Sequence, residues 1–166
     1  MIIQIDTREK SRAIQKILQY FNGNNIKYVS SKMICGDYCD ISNPLFCIDR
    51  KQNLNEVCNN VCQDRKRFIA ELDRAKELGI RLVFLVEHSA KIKCLEDVRF
   101  WKNPRLKEHP LALSGERLYK ILSVVEKTYN TKFYFCCKNA TGKEIVKLLR
   151  EEQNGKYTKV KLQSQT

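Results

Sequence analysis

The sequence predicts an α/β domain of three layers, with helices on both faces of a central mixed sheet of about five or six strands. Three observations carry this. Residues 80–86 form a nearly continuous apolar run, the pattern of a strand buried on both faces. Stretches in which apolar residues recur at helical spacing alternate with short β-rich segments along the whole chain. No internal repeat, low-complexity tract or long linker divides the 166 residues, a length that suits one domain with its own core.

Taken in order, Ile2-Ile3-Gln4-Ile5 is a short buried strand that delivers Asp6 at its C-terminal end. Ile14, Ile17, Leu18 and Phe21 then follow helical spacing, and Asn22-Gly23-Asn24-Asn25 is a stop signal. Glu9 is expected at the start of that helix, where the dipole favours a carboxylate. Residues 26–29 make a second strand, and 33–35 lead into a hairpin. Beyond the hairpin, Leu54, Val57, Cys58, Val61 and Cys62 mark one helical face. Phe68, Leu72, Ala75 and Leu78 mark another, ending at Gly79 as a C-cap. A helical connection before the strand at 80–86 implies a crossover in a mixed sheet.

Residues 90–110 lose periodicity and are expected to form a mobile loop on the substrate side. They carry Lys91, Lys93, Arg99, Lys102, Arg105 and Lys107 around Phe100-Trp101. Such a pattern can stack on and clamp nucleic acid, or Trp101 can pack the insertion onto the domain. A helix over 114–129 with Ser114 as N-cap follows, then an alternating aromatic strand over 132–137. Thr141-Gly142-Lys143-Glu144 opens a last helix as a capping box. The domain is expected to span residues 1–150, with a polar tail over 151–166 that frays.

The chemistry centres on the hairpin from Gly36 to Lys51. Its two β-rich segments flank Ser42-Asn43-Pro44, a turn-forming cluster. A turn centred near Asn43 sets Asp37 opposite Asp49. Opposed carboxylates repel, and partial burial makes the repulsion worse, so the arrangement calls for a cation between them. Lys51 shares the face of Asp49, because strand residues two apart point the same way. Hard oxygen ligands in small number suit Mg²⁺, which fills its shell with water and substrate phosphate.

Asp37 followed by Asp49-Arg50-Lys51 resembles the acid plus (Asp/Glu)-X-Lys signature of restriction-endonuclease-like nucleases. More narrowly, Gly36-Asp37-Tyr38 with Asp49-Arg50-Lys51 resembles the Gly-Asp and Glu-Arg-Lys motif of the XPF/Hef family of structure-specific DNA endonucleases. Ile5-Asp6-Thr7-Arg8-Glu9 resembles that family's Asp-X-Arg-Glu motif. The chain departs from the pattern in two places: Asp49 stands where Glu is usual, and Asn55 where an acid often follows the Lys.

The resemblance implies a restriction-endonuclease-like, three-layer α/β/α core. It implies metal-dependent hydrolysis of phosphodiesters in branched or junction DNA (forks, flaps, Holliday junctions) in repair or recombination, with Mg²⁺, or Mn²⁺ in its place. Asp37, Asp49 and the main-chain carbonyl of Arg50 would hold the metal, and Lys51 would stabilise the attacking hydroxide. Asp6 and Glu9 would be further catalytic acids, with Arg8, Arg65 and Arg67 binding DNA. A homodimer through the C-terminal helices is also implied. Two alternatives stay open: a non-catalytic DNA-binding module on the same fold, and a sequence-specific restriction endonuclease.

Bulk properties agree. Thirty-one Lys plus Arg against nineteen Asp plus Glu give a formal charge of +12, a field that draws in polyanions. No apolar run is long enough to span a bilayer, and no basic leader precedes the first strand, so an intracellular protein of cytoplasm or nucleus is expected. The eight cysteines show no paired Cys-X2-Cys knuckles, and His88 and His109 lie at no ligand spacing from them. They are expected to be small buried hydrophobes in a reducing compartment.

Overall fold

In the computed structural model, which describes residues 1–163 and side chains as far as residue 154, six strands build one mixed sheet. They are β1 (Ile2–Ile5), β2 (Lys27–Ser30), β3 (Tyr38–Asp40), β4 (Asn43–Lys51), β5 (Arg81–Glu87) and β6 (Phe133–Cys136), in the spatial order β2-β1-β3-β4-β5-β6. β1 pairs with β2 in parallel, β3 is antiparallel to both β1 and β4, and β4, β5 and β6 run parallel. β5 lies between two parallel neighbours and is buried from Leu82 to Glu87, as its apolar run predicts.

Helices cover both faces. α1 (Gln15–Gly23) and α5 (Thr141–Gln163) pack on one, where Ile17 and Phe21 meet Ile3, Ile48, Val83, Leu85 and Ile145. Burying an apolar side chain of this size contributes about 1.5–3 kcal/mol. α2 (Leu54–Cys62), α3 (Arg65–Glu77) and α4 (Gly115–Tyr129) cover the other, where Leu54, Phe68, Leu72, Leu118 and Leu122 surround Phe84 and Val86. The three-layer α/β expectation therefore holds. Gly79 takes φ +66° just past the C-cap of α3, a conformation that favours glycine. Ser114 caps α4, its Oγ accepting the Arg117 N–H at 3.3 Å. Among the described residues no helix is long and apolar enough to cross a membrane.

Several local expectations are corrected. The hairpin turn falls at Ile41-Ser42, not over Ser42-Asn43-Pro44, because β4 already starts at Asn43. Tyr38 pairs with Ile48 and Cys39 with Cys47, then the register shifts so that Asp40 meets Asn43. The Asp40 carboxylate accepts from Ser42 N and Oγ, which tightens the turn one residue early. α1 begins at Gln15, six residues beyond Glu9, so Glu9 is not at a helix start. Its carboxylate is drawn back to the sheet by Tyr38 and Arg50.

Thr141 makes no capping box: its hydroxyl donates to Glu87 Oε1 at 2.9 Å. From 151 to Gln163 the chain continues α5 instead of fraying, and residues 164–166 of the expected tail lie outside the described residues. Its first turns are tied to the sheet, since Glu152 pairs with Arg81 at 2.8 Å and the Gln153 amide donates to Asp40. Residues 90–110 are not a structureless loop: two 3-10 turns, Leu95–Phe100 and Pro104–Lys107, dock through Ile92, Leu95 and Val98. Of the cysteines, all free, Cys35, Cys39, Cys47 and Cys58 are buried as expected, but Cys62, Cys94 and Cys137 are exposed.

Candidate active site

The hairpin ladder supplies the geometry. Cys39 and Cys47 lie in the core under α2 and α3, and Tyr38 and Ile48 in the core under α1 and α5. Strict alternation then turns Asp37, Asp49 and Lys51 toward the α2/α3 face and Arg50 toward the other. The Tyr38–Ile48 register, continued by one residue, sets 37 across from 49. At that point the Asp37 N–H donates to the Ile48 carbonyl at 2.8 Å, and the Arg50 N–H donates to Asp37 Oδ2 at 2.8 Å. The preceding Gly36 has φ +69°, and a Cβ there would stand 3.1 Å from Cys47 Cβ, the Ile48 carbonyl and Leu82. Only glycine fits this bend, which aims Asp37 at the end of β4.

Asp49 is buried and Asp37 half-buried. Burial, then the charge of Asp49, then that of Glu9 push the Asp37 carboxyl well above the usual range, and the Arg50 N–H and Lys51 offset only part of this. Burial likewise lifts Asp49 to about 6 against the pull of Lys51. Lys51 Nζ stands 2.8 Å from Asp49 Oδ1 and 5.7 Å from the centre of the Phe84 ring. Burial works to lower its pKa, but Asp49 and Asp37 hold the ammonium above its ordinary value.

The sign of a stability effect follows. A carboxyl with a raised folded pKa binds more protons folded than unfolded between the two values, so its stabilisation is present at low pH and lost as pH rises. In chelator, the melting temperature is therefore expected to fall as pH rises from about 4 toward 6, the window set by the Asp49 shift from 3.8 to about 6. Asp49→Asn should flatten that slope in a series of thermal melts. An unchanged slope would mean that burial does not raise the Asp49 carboxyl.

The structure places the other expected residues as follows. Asp6 is fully buried, with Oδ1 taking the Arg8 N–H and Nε at 2.8 and 2.6 Å and Oδ2 taking the Met33 N–H at 2.6 Å. These bonds outweigh the effect of burial and hold its pKa below the ordinary value. Arg8 is exposed, and its Nη2 reaches the Gly36 carbonyl at 3.4 Å, next to Asp37. Glu9 accepts from Tyr38 Oη at 2.8 Å and from Arg50 Nε at 2.9 Å. Arg50 Nη1 continues to Glu87 Oε1 at 3.2 Å, so a buried Glu9–Arg50–Glu87 chain backs the site from the opposite face. Arg65 and Arg67 are exposed on α3 but on different flanks. Arg65 lines a groove with Tyr129 and Val124 of α4, while Arg67 lies one turn before Glu71 on the side of the acids.

Besides Glu87, two acids went unrecognised in the sequence. Glu71 of α3 accepts the Gly36 N–H at 3.3 Å, and its charge raises Asp49. Glu56, next to the Asn55 noted as a departure, accepts the Gln52 N–H at 2.7 Å and acts on both Asp49 and Lys51. A signal for Glu56 existed: Asn53 is the N-cap of α2 and accepts the Glu56 N–H at 2.9 Å, the spacing of a capping box. Nothing local marked Glu71. Among the described residues no three His, Cys, Asp or Glu are gathered closely enough to hold an ion by themselves. The donor set fits a hydrated Mg²⁺, which needs one or two carboxylates and otherwise keeps water and phosphate oxygens.

A mixed sheet layered between helices, with an antiparallel hairpin at its centre delivering acid, acid and lysine to one end of the strands, defines a restriction-endonuclease-like nuclease domain. The ERCC4 domain model matches residues 5–148. The chain belongs to that family, as an XPF-type nuclease domain. Among solved structures it is similar to XPF from Aeropyrum pernix, with a TM-score of 0.65 at 16% identity over 92% of this chain and 65% of that one. It is also similar to XPF from Aeropyrum pernix in complex with DNA, with a TM-score of 0.65 at 14% identity over 93% of this chain and 66% of that one. The chain thus spans slightly less than two thirds of the XPF chains it matches, and at these identities the likeness is one of fold. No curated protein matches the sequence.

Proposed function

We propose that this chain is a divalent-metal-dependent DNA endonuclease domain that hydrolyses phosphodiester bonds at branched or junction DNA. The observation that carries the reading is the pair Asp37 and Asp49, set across from each other where β3 begins and β4 ends, with Lys51 Nζ 2.8 Å from Asp49. A passive binder of polyanions gains nothing from opposed acids, which weaken phosphate binding in the absence of a cation. Family membership, the +12 charge and the fold shared with an XPF that is in complex with DNA support the same reading.

Asp37, Asp49 and the Arg50 carbonyl would hold Mg²⁺, or Mn²⁺, which supplies Lewis-acid stabilisation of the phosphate and lowers the pKa of water. The remaining work falls to the chain. Lys51, kept charged by Asp49, donates toward the attacking water oxygen and orients it for in-line displacement. Arg8, clamped by Asp6 beside Gly36, presents its exposed head to a flanking phosphate, and Arg67 extends that track along α3. Arg65 adds positive charge on the far flank. Asp6 and Glu9 act through the groups they hold, Arg8 and Arg50.

The test is a panel of forks, flaps, four-way junctions and plain duplex with Mg²⁺ or Mn²⁺. Cleavage of the branched forms is expected, lost in chelator and in Lys51→Ala, whose binding to the same DNA persists. Cutting of linear duplex at fixed sites would indicate a restriction enzyme, and no cleavage of any form would leave a binding module.

A homodimer through the C-terminal helices belongs to the same proposal. α4 exposes Val124 (62%) beside Ile121, Val125 and Tyr129 in a groove of about 410 Å³. Val124→Glu is expected to shift the protein to monomer in light scattering, and an unchanged mass would remove this face from the interface.

A further inference from the structure

The two aromatics of the basic insertion part company in the fold. Trp101 packs against the α2/α3/α4 core and meets the His88 ring edge-on, with centroids 6.3 Å apart. A Cβ at Gly115 would run into the carbonyl oxygens of Val98 and Trp101, so the turn is pinned to the start of α4. Phe100, one residue earlier, is 81% exposed. The fold thus holds a phenyl ring in water at the end of a fixed turn, where exposure costs hydrophobic free energy and no core contact is gained.

The placement gives this ring a use. Lys51 and Val86 are neighbours in the parallel register of β4 and β5, so the ends of these strands lie side by side. His88 follows β5 directly and touches Trp101. Further along, Arg105 Nη1 donates to Asn59 Oδ1 of α2 at 3.0 Å. The insertion therefore lies near the end of the central strands that carries the acids and Lys51. Bases flank the ring in the chain: Lys102 is exposed, and Arg99 lies 4.0 Å over the Tyr119 ring and 3.9 Å from Glu116, with 45% of its side chain exposed. Residues 90–112 carry six Lys or Arg against three Asp or Glu. Of these acids, Asp97 is used to hold the Lys93 and Cys94 N–H groups.

From this juxtaposition we infer that Phe100 is a stacking platform for an unpaired base at a DNA branch, with Lys102 and Arg99 meeting the phosphates on either side. The inference rests on the endonuclease reading for its choice of ligand. An exposed aromatic face accepts any base, whereas in a continuous duplex every base is already stacked on its neighbours. The platform would therefore favour branched over fully paired DNA.

The test compares the full chain with Phe100→Ala and Phe100→Trp, using a fork that carries 2-aminopurine at the first unpaired position and a matched duplex. Binding is read by fluorescence in EDTA, and cleavage with Mg²⁺. Phe100→Ala is expected to lose the stacking-induced quench and to bind the fork roughly tenfold more weakly, in keeping with the loss of one stacked base. Its affinity for duplex should stay unchanged, and Phe100→Trp should retain both signals. A Phe100→Ala variant that binds and quenches like the parent would overturn the inference. So would equal loss on fork and duplex, or a change of oligomeric mass that marks Phe100 as a protein contact. A parent protein that quenches the probe yet cuts no DNA with either metal would instead sink the endonuclease reading and leave the platform standing.

Discussion

Asp37→Asn is expected to lower cleavage of branched DNA by at least about a hundredfold while raising the melting temperature of the metal-free protein. The two effects share one cause. Burial and the charges of Asp49 and Glu9 destabilise the ionised Asp37, a cost that the Arg50 N–H and Lys51 offset only in part and that a bound divalent cation would relieve. The neutral amide removes the repulsion and keeps an oxygen to accept the Arg50 N–H, a bond that supports the fold. Each kcal/mol of repulsion relieved should raise the melting temperature by about 2–4 °C in a chain of this size. With saturating Mg²⁺ the order should reverse, because the parent gains from binding the ion and the variant does not. Melts in EDTA and in Mg²⁺, set beside nicking rates, check all three statements. A variant that melts lower in EDTA would show that the lost activity is damage to the fold.

Arg50→Ala should give the largest loss of stability. The guanidinium is almost fully buried and bridges Glu9, through Nε at 2.9 Å and Nη2 at 3.3 Å, to Glu87, through Nη1 at 3.2 Å. Removing it leaves two carboxylates facing each other in the interior, and breaking such a pair costs about 3–5 kcal/mol. At 2–4 °C per kcal/mol this is a fall of roughly 6–20 °C in the melting temperature. Arg50→Lys should fall part of the way, because one ammonium cannot match the planar fork that reaches both acids. Adding Glu9→Gln and Glu87→Gln to Arg50→Ala should recover part of the loss in circular-dichroism melts. If the single variant melts within 2 °C of the parent by this measure, the chain of acids is solvated and does not brace the site.

The hairpin shows how far local sequence reaches. Two strands, a turn-forming cluster between them and a period of two were enough to put Asp37, Asp49 and Lys51 on one face, even though the turn sits earlier than Ser42-Asn43-Pro44 suggests. The register survived because the shift falls between Cys39 and Asp40, beyond the pairs that align the acids. Glu9 was misjudged for the opposite reason. A carboxylate ahead of an amphipathic helix looks like a helix start, but the Arg50 and Tyr38 that recruit it lie 41 and 29 residues away.

The same division holds for the insertion and the far acids. Phe100 and Trp101 are adjacent and chemically alike, and only the docking of a 3-10 turn on α4 packs the half-buried Trp101 against the core and leaves Phe100 exposed. Glu71 and Glu87 carry no local mark, since the hydrogen bonds of each span at least 35 residues of chain. The sequence by itself determined the layers, the strand carrying the acids and the family motifs, because periodicity and turn chemistry act between near neighbours. Which charges are buried together, which acid braces which cation and which ring faces water were decided by the packing of helices on the sheet, because burial and Coulomb energy depend on distance in space and not along the chain.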